Sequence, residues 1–163
     1  MKVVCPGSFD PVTLGHVDII ARAALIYESV TVTVVHNPEK QGLFTPQERY
    51  ELIRASLTED SRTAECTTID VDIFSDGLLV DYCADIGAGA VVKGLRSETD
   101  FAYELPMALM NRRLSGVETL FLPGDPRFGH ISSSLIRQVH SLGGDISGQV
   151  PEAVLTALRA RAS

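Results

Sequence analysis

Short apolar runs alternate along the chain with longer segments in which apolar residues recur at helical spacing. The apolar runs are rich in β-branched residues and predict strands over 3–5, 30–35, 67–74, 90–92 and 119–122. The helical spacing predicts helices from 46 onward and over 17–27, 78–85, 101–114, 132–142 and 151–161. This alternation is typical of an α/β fold. We therefore predict a Rossmann-like, doubly wound sheet of five parallel strands, with helices on both faces and a C-terminal helix.

Two of these helices carry special signals. Thr45, Pro46 and Glu48 form a capping box with proline at the first helical position, so we expect a helix to begin at Pro46. Pro106 lies within the segment 101–114, where a proline removes a backbone hydrogen bond. That helix therefore either begins near Pro106 or bends there. The neighbouring methionines, at 107 and 110, are expected in the core or at a subunit contact.

The composition fits one globular domain over 1–163. Of the 163 residues, 45% are hydrophobic and 21% are charged, a balance typical of folded chains and not of disordered ones. The net charge of −7 argues against nucleic acid and against an anionic membrane surface as partners. The three cysteines stand far apart without a C-x-x-C pair, which favours a reducing, cytoplasmic location.

Several common functional motifs are missing from the sequence. It contains no P-loop, no G-x-G-x-x-G fingerprint, no H-E-x-x-H and no G-x-S-x-G. The four histidines lack the spacing of metal ligands, so we expect no metal held by protein ligands alone. Doubly wound sheets bind ligands beyond the carboxyl ends of their strands. The segments that follow the strands are therefore where we expect the chemistry.

The segment after the first strand combines a sharp turn, a helix start and a histidine. Thr13, Gly15 and His16 stand where the chain enters the first helix. A helix N-terminus carries partial positive charge and free N–H donors. Gly15 lets a ligand approach the backbone closely, and an imidazole can donate a hydrogen bond to an anion. The pattern indicates a site for a reacting phosphate; the alternative is that Thr13 only caps the helix and His16 takes no part.

Further candidate phosphate ligands follow three other strands. Lys93 and Arg96 flank Gly94 after the fourth strand, and an arginine can hold two phosphate oxygens at once. The serines 132–134 begin a helix after the fifth strand and offer hydroxyls and backbone N–H groups. Lys40 follows the second strand. Each cluster alone is also explained as a surface charge or an N-cap, but the topology would bring all of them to one edge of the sheet.

Together these motifs resemble those of the bacterial phosphopantetheine adenylyltransferases, in the T-x-G-H nucleotidyltransferase superfamily. The resemblance covers nearly the whole chain and rests on several segments in one order. Those segments are 5–11, 13–16, 37–40 with Phe44, 93–96, 100–104, 110–112 and 131–134. T-x-G-H alone would indicate only the superfamily.

The resemblance implies that ATP and 4′-phosphopantetheine react to give dephospho-CoA and pyrophosphate, with Mg²⁺ held mainly by the ATP phosphates and water. It implies that His16 stabilises the transition state and that Lys40 and Arg96 are further catalytic residues. The implied ATP-binding residues are Ser8, Phe9, His16, Gly94, Leu95, Arg96, Glu104, Phe128, Gly129, His130, Ile131, Ser132, Ser133 and Ser134. The implied phosphopantetheine-binding residues are Ser8, Lys40, Leu79, Lys93 and Asn111. Because the family is typically hexameric and inhibited by CoA, we also expect a homohexamer and feedback by CoA.

The chain departs from the common family pattern near the implied nucleotide site. Phe128, Gly129 and His130 stand where relatives commonly have an aromatic residue, Ser and Phe. Lys93 stands where some relatives have Arg. The lysine keeps the positive charge but cannot make the bidentate contact of a guanidinium. Ser8 replaces a frequent Thr and keeps the hydroxyl. We therefore expect an adenine pocket that is looser or differently hydrogen-bonded.

Two other functions remain open from the sequence. One is another small-molecule nucleotidyltransferase, acting on nicotinamide mononucleotide or a polyol phosphate. The other is a non-catalytic regulator that binds CoA or a nucleotide. The Lys40 segment and the run 100–104 favour phosphopantetheine as the acceptor, and the presence of His16, Lys40 and Arg96 favours catalysis.

Overall fold

The computed structural model describes residues 1–161, which contain five strands, six α-helices and a short 3₁₀ helix. The strands are β1 (Lys2–Gly7), β2 (Ser29–Val35), β3 (Ile69–Phe74), β4 (Ala90–Leu95) and β5 (Glu118–Pro123). The α-helices are α1 (Leu14–Ile26), α2 (Pro46–Glu59), α3 (Leu79–Asp85), α4 (Glu98–Ser115), α5 (Ser133–Ser141) and α6 (Glu152–Arg161), and the 3₁₀ helix is Pro126–Phe128. Every predicted strand and helix is present. The single domain over 1–163 stays a prediction, and its last two residues lie outside the described part.

All five strands are parallel and lie side by side in the order β3-β2-β1-β4-β5. The chain runs outward from β1 through β2 to β3 and then crosses to β4, on the other side of β1. The strand order therefore reverses between β1 and β4. Such a reversal is the topological switch point of a doubly wound sheet and opens a crevice for ligands. The predicted fold class is confirmed.

The two faces of the sheet are covered unequally. On one face α1, α2, α5 and α6 pack against alternate strand residues, such as Val3 and Val32, and form the main hydrophobic core. On the other face α3 covers a much smaller cluster that includes Val4 and Val91. Helix α4 lies beside α3 and contacts β5. Helices thus cover both faces, as predicted, but the α3 and α4 side leaves room for a cavity.

Helix α2 begins as its capping signal predicts. Thr45 Oγ1 accepts the N–H of Glu48 at 3.2 Å, and the Glu48 carboxylate accepts the N–H of Thr45 at 2.7 Å. Pro46 is the first helical residue. The predicted capping box is confirmed, and it fixes the point at which the loop after β2 ends.

Helix α4 is continuous across the position where the sequence predicts a helix start or a bend. It begins at Glu98, where the Ser97 hydroxyl accepts the N–H of Asp100 at 3.2 Å, and continues through Pro106 to Ser115. The expectation that the helix begins near Pro106 is therefore wrong, and the alternative of a bend there stays a prediction. Although α4 is the longest helix, neither it nor any other helix in residues 1–161 has the length and apolar character needed to cross a membrane.

Two further placements differ from the sequence analysis. Met107 and Met110 on α4 are 59% and 53% exposed, so they are not core residues, and their expected alternative position at a subunit contact stays a prediction. Lys93, Gly94 and Leu95 do not follow β4 but form its last three residues. The strand extends this far because β5 continues to pair with β4 as far as Leu95.

Candidate active site

A cavity of about 770 Å³ lies at the carboxyl ends of the strands, at the switch point between β1 and β4. Its walls come from the loop after β1, the end of β4, helices α3 and α4, and the segment 124–133. Most of the predicted site residues line it, namely Ser8, Phe9, His16, Leu79, Lys93, Gly94, Leu95, Arg96, Glu104, Asn111, Phe128, Ile131, Ser132 and Ser133. The convergence expected from the topology is thus present.

The loop after β1 presents a hydroxyl to the cavity through an uncommon backbone conformation. Phe9 has φ of 48°, in the left-handed region that residues other than glycine rarely adopt. Its buried ring lies over Gly7, where an added Cβ would come within 3.0 Å of the ring. Gly7 therefore makes room for Phe9, and the turn leaves Ser8 exposed at the cavity.

His16 is the third residue of α1 and takes the place of the glutamate in a capping box. Its Nδ1 accepts the backbone N–H of Thr13 at 3.0 Å, and Thr13 Oγ1 in turn accepts the N–H of His16 at 3.4 Å. Because Nδ1 accepts a hydrogen bond, the neutral ring carries its proton on Nε2. Thr13 therefore does cap the helix, and the same contact leaves Nε2–H as the donor that His16 offers to the cavity.

The His16 ring is uncharged at neutral pH. Burial, together with the positive charges of Arg96 and Lys93, lowers the pKa of His16 from 6.5 to about 4, and burial is the largest of these causes. The His16 and Phe9 rings pack edge to face, with their centroids 5.1 Å apart. His16 thus supplies a fixed, neutral hydrogen-bond donor in a cavity whose positive charge comes from other residues.

Both predicted cations of the cavity are paired with carboxylates of α4. Lys93 Nζ lies 3.3 Å from a carboxylate oxygen of Glu104, and Arg96 Nε lies 2.9 Å from one of Asp100. Burial raises the pKa of Asp100, but the hydrogen bonds from Arg96 outweigh it, so the pKa lies below its usual value. A phosphate that enters the cavity must therefore compete with Glu104 for Lys93.

Arg96 also joins the end of β4 to the segment before α5. Its Nη1 donates to the carbonyl of Ile131 at 2.6 Å, while Nε and Nη2 donate to the Asp100 carboxylate. Three of the five guanidinium N–H groups are thus used within the protein, and two remain for a ligand. Arg96 therefore holds two segments of the cavity wall together and also contributes a positive charge to the cavity.

Gly94 has a packing role that the sequence analysis did not anticipate. A Cβ at this position would lie 2.8 Å from Cγ1 of Ile19 on α1. The missing side chain therefore lets α1 approach β4 closely. Gly94 also lines the cavity, which is compatible with the implied contact with ATP. That contact stays a prediction.

The three serines near the start of α5 differ in their contacts. Ser132 is the N-cap, and its hydroxyl accepts the N–H of Leu135 at 3.2 Å. Ser133 Oγ donates to the carbonyl of Pro11 at 2.7 Å and so ties α5 to the loop after β1. Because Ser132 and Ser133 line the cavity, the N-terminus of α5 contributes its partial positive charge there.

Asn111 is the one buried residue on α4, with 6% of its surface exposed. It lines the cavity, and its backbone carbonyl accepts a hydrogen bond from the Ser115 hydroxyl. The side-chain amide makes no hydrogen bond within the described residues, and its implied contact with a ligand stays a prediction. Leu79, the first residue of α3, lines the same cavity. This part of the site suits a ligand with apolar stretches and amide groups.

Sequence reasoning missed an apolar wall and two carboxylates. The apolar wall consists of Phe74, Leu78, Tyr103, Met107, Met110 and Leu114. The carboxylates are Asp100, which fixes Arg96, and Asp125, which pairs with Arg127. The signal for Asp100 was present in the sequence, because it stands three residues after the capping Ser97 and therefore in the first turn of α4.

Four predicted site residues do not line the cavity in this structure. Lys40 is exposed in the loop after β2, where its N–H donates to the carbonyl of Asn37 at 3.0 Å. The other three are Gly129, His130 and Ser134, which stand beside lining residues in the sequence. Their roles in ligand binding stay predictions.

Within residues 1–161, no group of three or more His, Cys, Asp or Glu side chains is placed to hold a metal ion. The three carboxylates that line the cavity are each paired with a cation: Asp100 with Arg96, Glu104 with Lys93, and Asp125 with Arg127.

Fold and site together define a class of enzyme. A family model described as cytidylyltransferase-like matches residues 4–139, from β1 to α5, and this range includes every residue that lines the cavity. The chain is thus a nucleotidyltransferase of the cytidylyltransferase-like class.

Curated relatives identify the family within this class. The phosphopantetheine adenylyltransferase of Corynebacterium efficiens is 56% identical over 160 residues, which cover 98% of this chain and 96% of the relative. The phosphopantetheine adenylyltransferase of Leifsonia xyli subsp. xyli is 56% identical over 151 residues, which cover 93% of this chain and 92% of the relative. The chain belongs to the phosphopantetheine adenylyltransferase family.

Solved structures at low sequence identity share the fold. A bifunctional NMN adenylyltransferase/ADP ribose pyrophosphatase from Francisella tularensis aligns with a TM-score of 0.67 at 16% identity, over 92% of this chain and 44% of that one. A lipopolysaccharide core biosynthesis protein from Thermoplasma volcanium aligns with a TM-score of 0.51 at 17% identity, over 77% of this chain and 96% of that one. These similarities concern the fold alone.

Proposed function

We propose that this protein transfers the adenylyl group of ATP to 4′-phosphopantetheine, giving dephospho-CoA and pyrophosphate. The observation that carries the proposal is the cavity at the switch point, which is lined by the neutral hydrogen-bond donor of His16 and by the positively charged Lys93 and Arg96. Identity of 56% to a relative named phosphopantetheine adenylyltransferase supports this acceptor.

The reaction needs positioning and charge stabilisation more than proton transfer. The acceptor is a phosphate monoester whose second pKa is near 6, so it is mostly a dianion at pH 7 and needs no general base. One of its oxygens forms a new bond to the α-phosphorus of ATP as the bond to the bridging oxygen breaks. Pyrophosphate leaves with that electron pair. The site must therefore hold two polyanions in line and offset the charge that spreads between them.

The cavity residues have matching roles in this proposal. His16 donates Nε2–H to an α-phosphate oxygen as its negative charge grows, without adding a positive charge of its own. The two free N–H groups of Arg96 and the N-terminus of α5 bind the ATP phosphates. Lys93 releases Glu104 and binds the acceptor phosphate, assisted by Lys40 from the loop after β2. Asn111 and the apolar wall hold the pantetheine arm.

ATP enters this scheme as its Mg²⁺ complex, so the metal is part of the substrate. The phosphates and water would supply most of its ligands, because the carboxylates that line the cavity, Asp100, Glu104 and Asp125, each pair with a cation. The metal would offset part of the negative charge on the departing pyrophosphate.

We also propose that CoA competes for this cavity, because CoA contains the same pantetheine arm and adenylate as the product. A homohexamer is proposed as the assembled state. Exposed apolar side chains on α4, such as Phe101 and Leu109 at 41% and 56%, support contact between chains. The three free cysteines support the proposed location in the reducing cytoplasm.

Pyrophosphate release tests the proposed function. The protein is incubated with MgATP and, in turn, 4′-phosphopantetheine, nicotinamide mononucleotide and glycerol 3-phosphate. We expect release with 4′-phosphopantetheine alone, and ATP formation when dephospho-CoA and pyrophosphate are supplied instead. Release with another acceptor only would contradict the proposal. So would CoA binding without turnover of any acceptor.

A further inference from the structure

A buried ion pair joins two loops beside the cavity and has no part in the roles given above. Asp10 lies in the loop after β1 and is 6% exposed; Arg49 lies on α2 and is 5% exposed. Arg49 Nε stands 3.4 Å from Asp10 Oδ1. A buried charge is costly unless it is paired and hydrogen-bonded. The contacts of this pair therefore show what it holds in place.

Asp10 binds the backbone of the loop after β2, and Arg49 binds the backbone of both loops. The Asp10 carboxylate accepts the N–H groups of Leu43 at 2.8 Å and Phe44 at 2.9 Å. Arg49 Nε donates to the carbonyl of Phe44 at 2.8 Å, and its Nη1 donates to the carbonyl of Ser8 at 3.3 Å. The pair thus connects the loop that carries Ser8 to the end of the loop that carries Lys40.

Gly42 provides the space in which this pair sits. A Cβ at Gly42 would lie 1.8 Å from Arg49 Nη2 and 2.9 Å from Asp10 Oδ2. Any side chain there would push the guanidinium out of place. Gly42 is two residues from Lys40. The ion pair, together with the space at Gly42, therefore fixes the backbone close to that lysine.

The loop after β1 has further ties that do not depend on this pair. Arg137 Nη1 donates to the backbone carbonyl of Asp10, and Ser133 Oγ donates to that of Pro11 at 2.7 Å. Removal of the ion pair should therefore leave the loop after β1 held to α5. The loop after β2 would lose its hydrogen bonds to the Asp10 carboxylate and to Arg49.

We propose that Asp10 and Arg49 are positioning residues that set where Lys40 stands relative to Ser8 and His16. This inference rests on the proposed function, in which Lys40 binds the acceptor phosphate. An in-line attack needs its reacting atoms about 3–3.5 Å apart, and a misplacement of about 1 Å costs roughly 10²-fold in rate. A loop with freedom to shift would therefore misalign the acceptor more than ATP.

Three variants weaken the pair in different ways. Asp10→Asn removes the charge, Arg49→Lys keeps the charge but loses the hydrogen-bond geometry, and Gly42→Ala displaces the guanidinium without touching either charge. For each we expect kcat/KM for 4′-phosphopantetheine to fall by about 10–100-fold, while KM for ATP changes by less than about threefold. A purely structural role would lower the melting temperature without this difference between the two substrates.

Asp18→Asn is the matched control. Asp18 is also a buried carboxylate in ion pairs, with Arg62 at 2.7 Å and Arg22 at 3.3 Å, but it does not line the cavity. We expect this variant to lose thermal stability and keep both KM values. The inference is overturned if the control shows the same preferential loss toward 4′-phosphopantetheine.

The outcomes separate this inference from the proposed function. If the unmodified protein has no activity with 4′-phosphopantetheine, both proposals are overturned together. If it is active and Gly42→Ala and Arg49→Lys keep its kcat/KM, only the positioning role is overturned. Should Asp10→Asn fail to fold, the other two variants decide the question.

Discussion

The spacing of the T-x-G-H motif has a physical origin in the start of α1. An N-cap side chain reaches the N–H of the third helical residue, whose own side chain can reach back to the N-cap N–H. Thr13 and His16 occupy these two positions and make both contacts. The capping geometry therefore fixes the tautomer of His16, and a contact that resembles ordinary capping in the sequence is also what prepares the ring for chemistry.

Replacement of His16 tests its proposed role at the α-phosphate. His16→Ala should lower kcat by about 10²–10³-fold, because it removes one donor to the developing charge, and should leave KM for ATP nearly unchanged. Pyrophosphate release measures both constants. His16→Gln is the control for folding, since glutamine can complete the capping box. A large loss of ATP binding with unchanged kcat would contradict this role.

The low pKa of His16 predicts a loss of stability in mild acid. The unfolded chain binds a proton on this side chain as the pH falls through 6.5, whereas the folded chain, with the pKa at about 4, does not. Stability therefore falls with falling pH over this window, by about 2 kcal/mol at pH 5. Urea unfolding at pH 7.5 and pH 5 should show this additional loss in the unmodified protein relative to His16→Gln. Equal losses in the two proteins would refute the lowered pKa.

Asn111 offers a selective test of the acceptor side of the cavity. Asn111→Ala should raise KM for 4′-phosphopantetheine by about tenfold, the cost of one lost hydrogen bond of roughly 1 kcal/mol or slightly more. KM for ATP should stay the same. Steady-state kinetics with each substrate varied in turn measure both values. An equal rise in both KM values would show that Asn111 supports the cavity as a whole and does not bind the acceptor.

At the scale of elements, a boundary was predictable where local contacts set it and was not where tertiary packing sets it. The capping box at Thr45 depends on residues three apart, so the sequence contains all that is needed to predict it. The end of β4 depends on pairing with β5, which leaves Lys93 inside the strand. The exposure of Met107 depends on how little of α4 the sheet covers. No local pattern contains that information, because tertiary packing decides it.

The proline inside helix α4 is expected to lower the stability of the protein, and this can be tested. Pro106 is exposed and lies inside the helix, where it cannot donate a backbone hydrogen bond. Pro106→Ala should therefore raise the free energy of unfolding by about 1–3 kcal/mol, without opening a cavity. Urea unfolding measures the change. An unchanged or lower stability would mean that the helix already accommodates the proline at little cost.

At the scale of the whole molecule, alternation of strands and helices was enough to predict the fold class and the edge of the sheet where the site lies. The contacts that shape the site were not predictable in the same way. Arg96 donates to the carbonyl of Ile131, and Arg49 to that of Ser8, across 35 and 41 positions of sequence. Side chains that bind distant backbone carbonyls leave no periodic pattern, so only the folded chain reveals them.

The proposed hexamer gives the last prediction, and the exposed apolar side chains of α4 motivate it. Light scattering should give the unmodified protein six times the mass of one chain. Leu109→Glu should lower that mass, because a carboxylate buried between chains would be costly. It should leave the fold intact, since Leu109 is 56% exposed and does not line the cavity. Leu25→Glu, at an 81% exposed position on the opposite face of the sheet, is the control and should keep the full mass. An assembly that survives Leu109→Glu would exclude this part of α4 from the contact between chains.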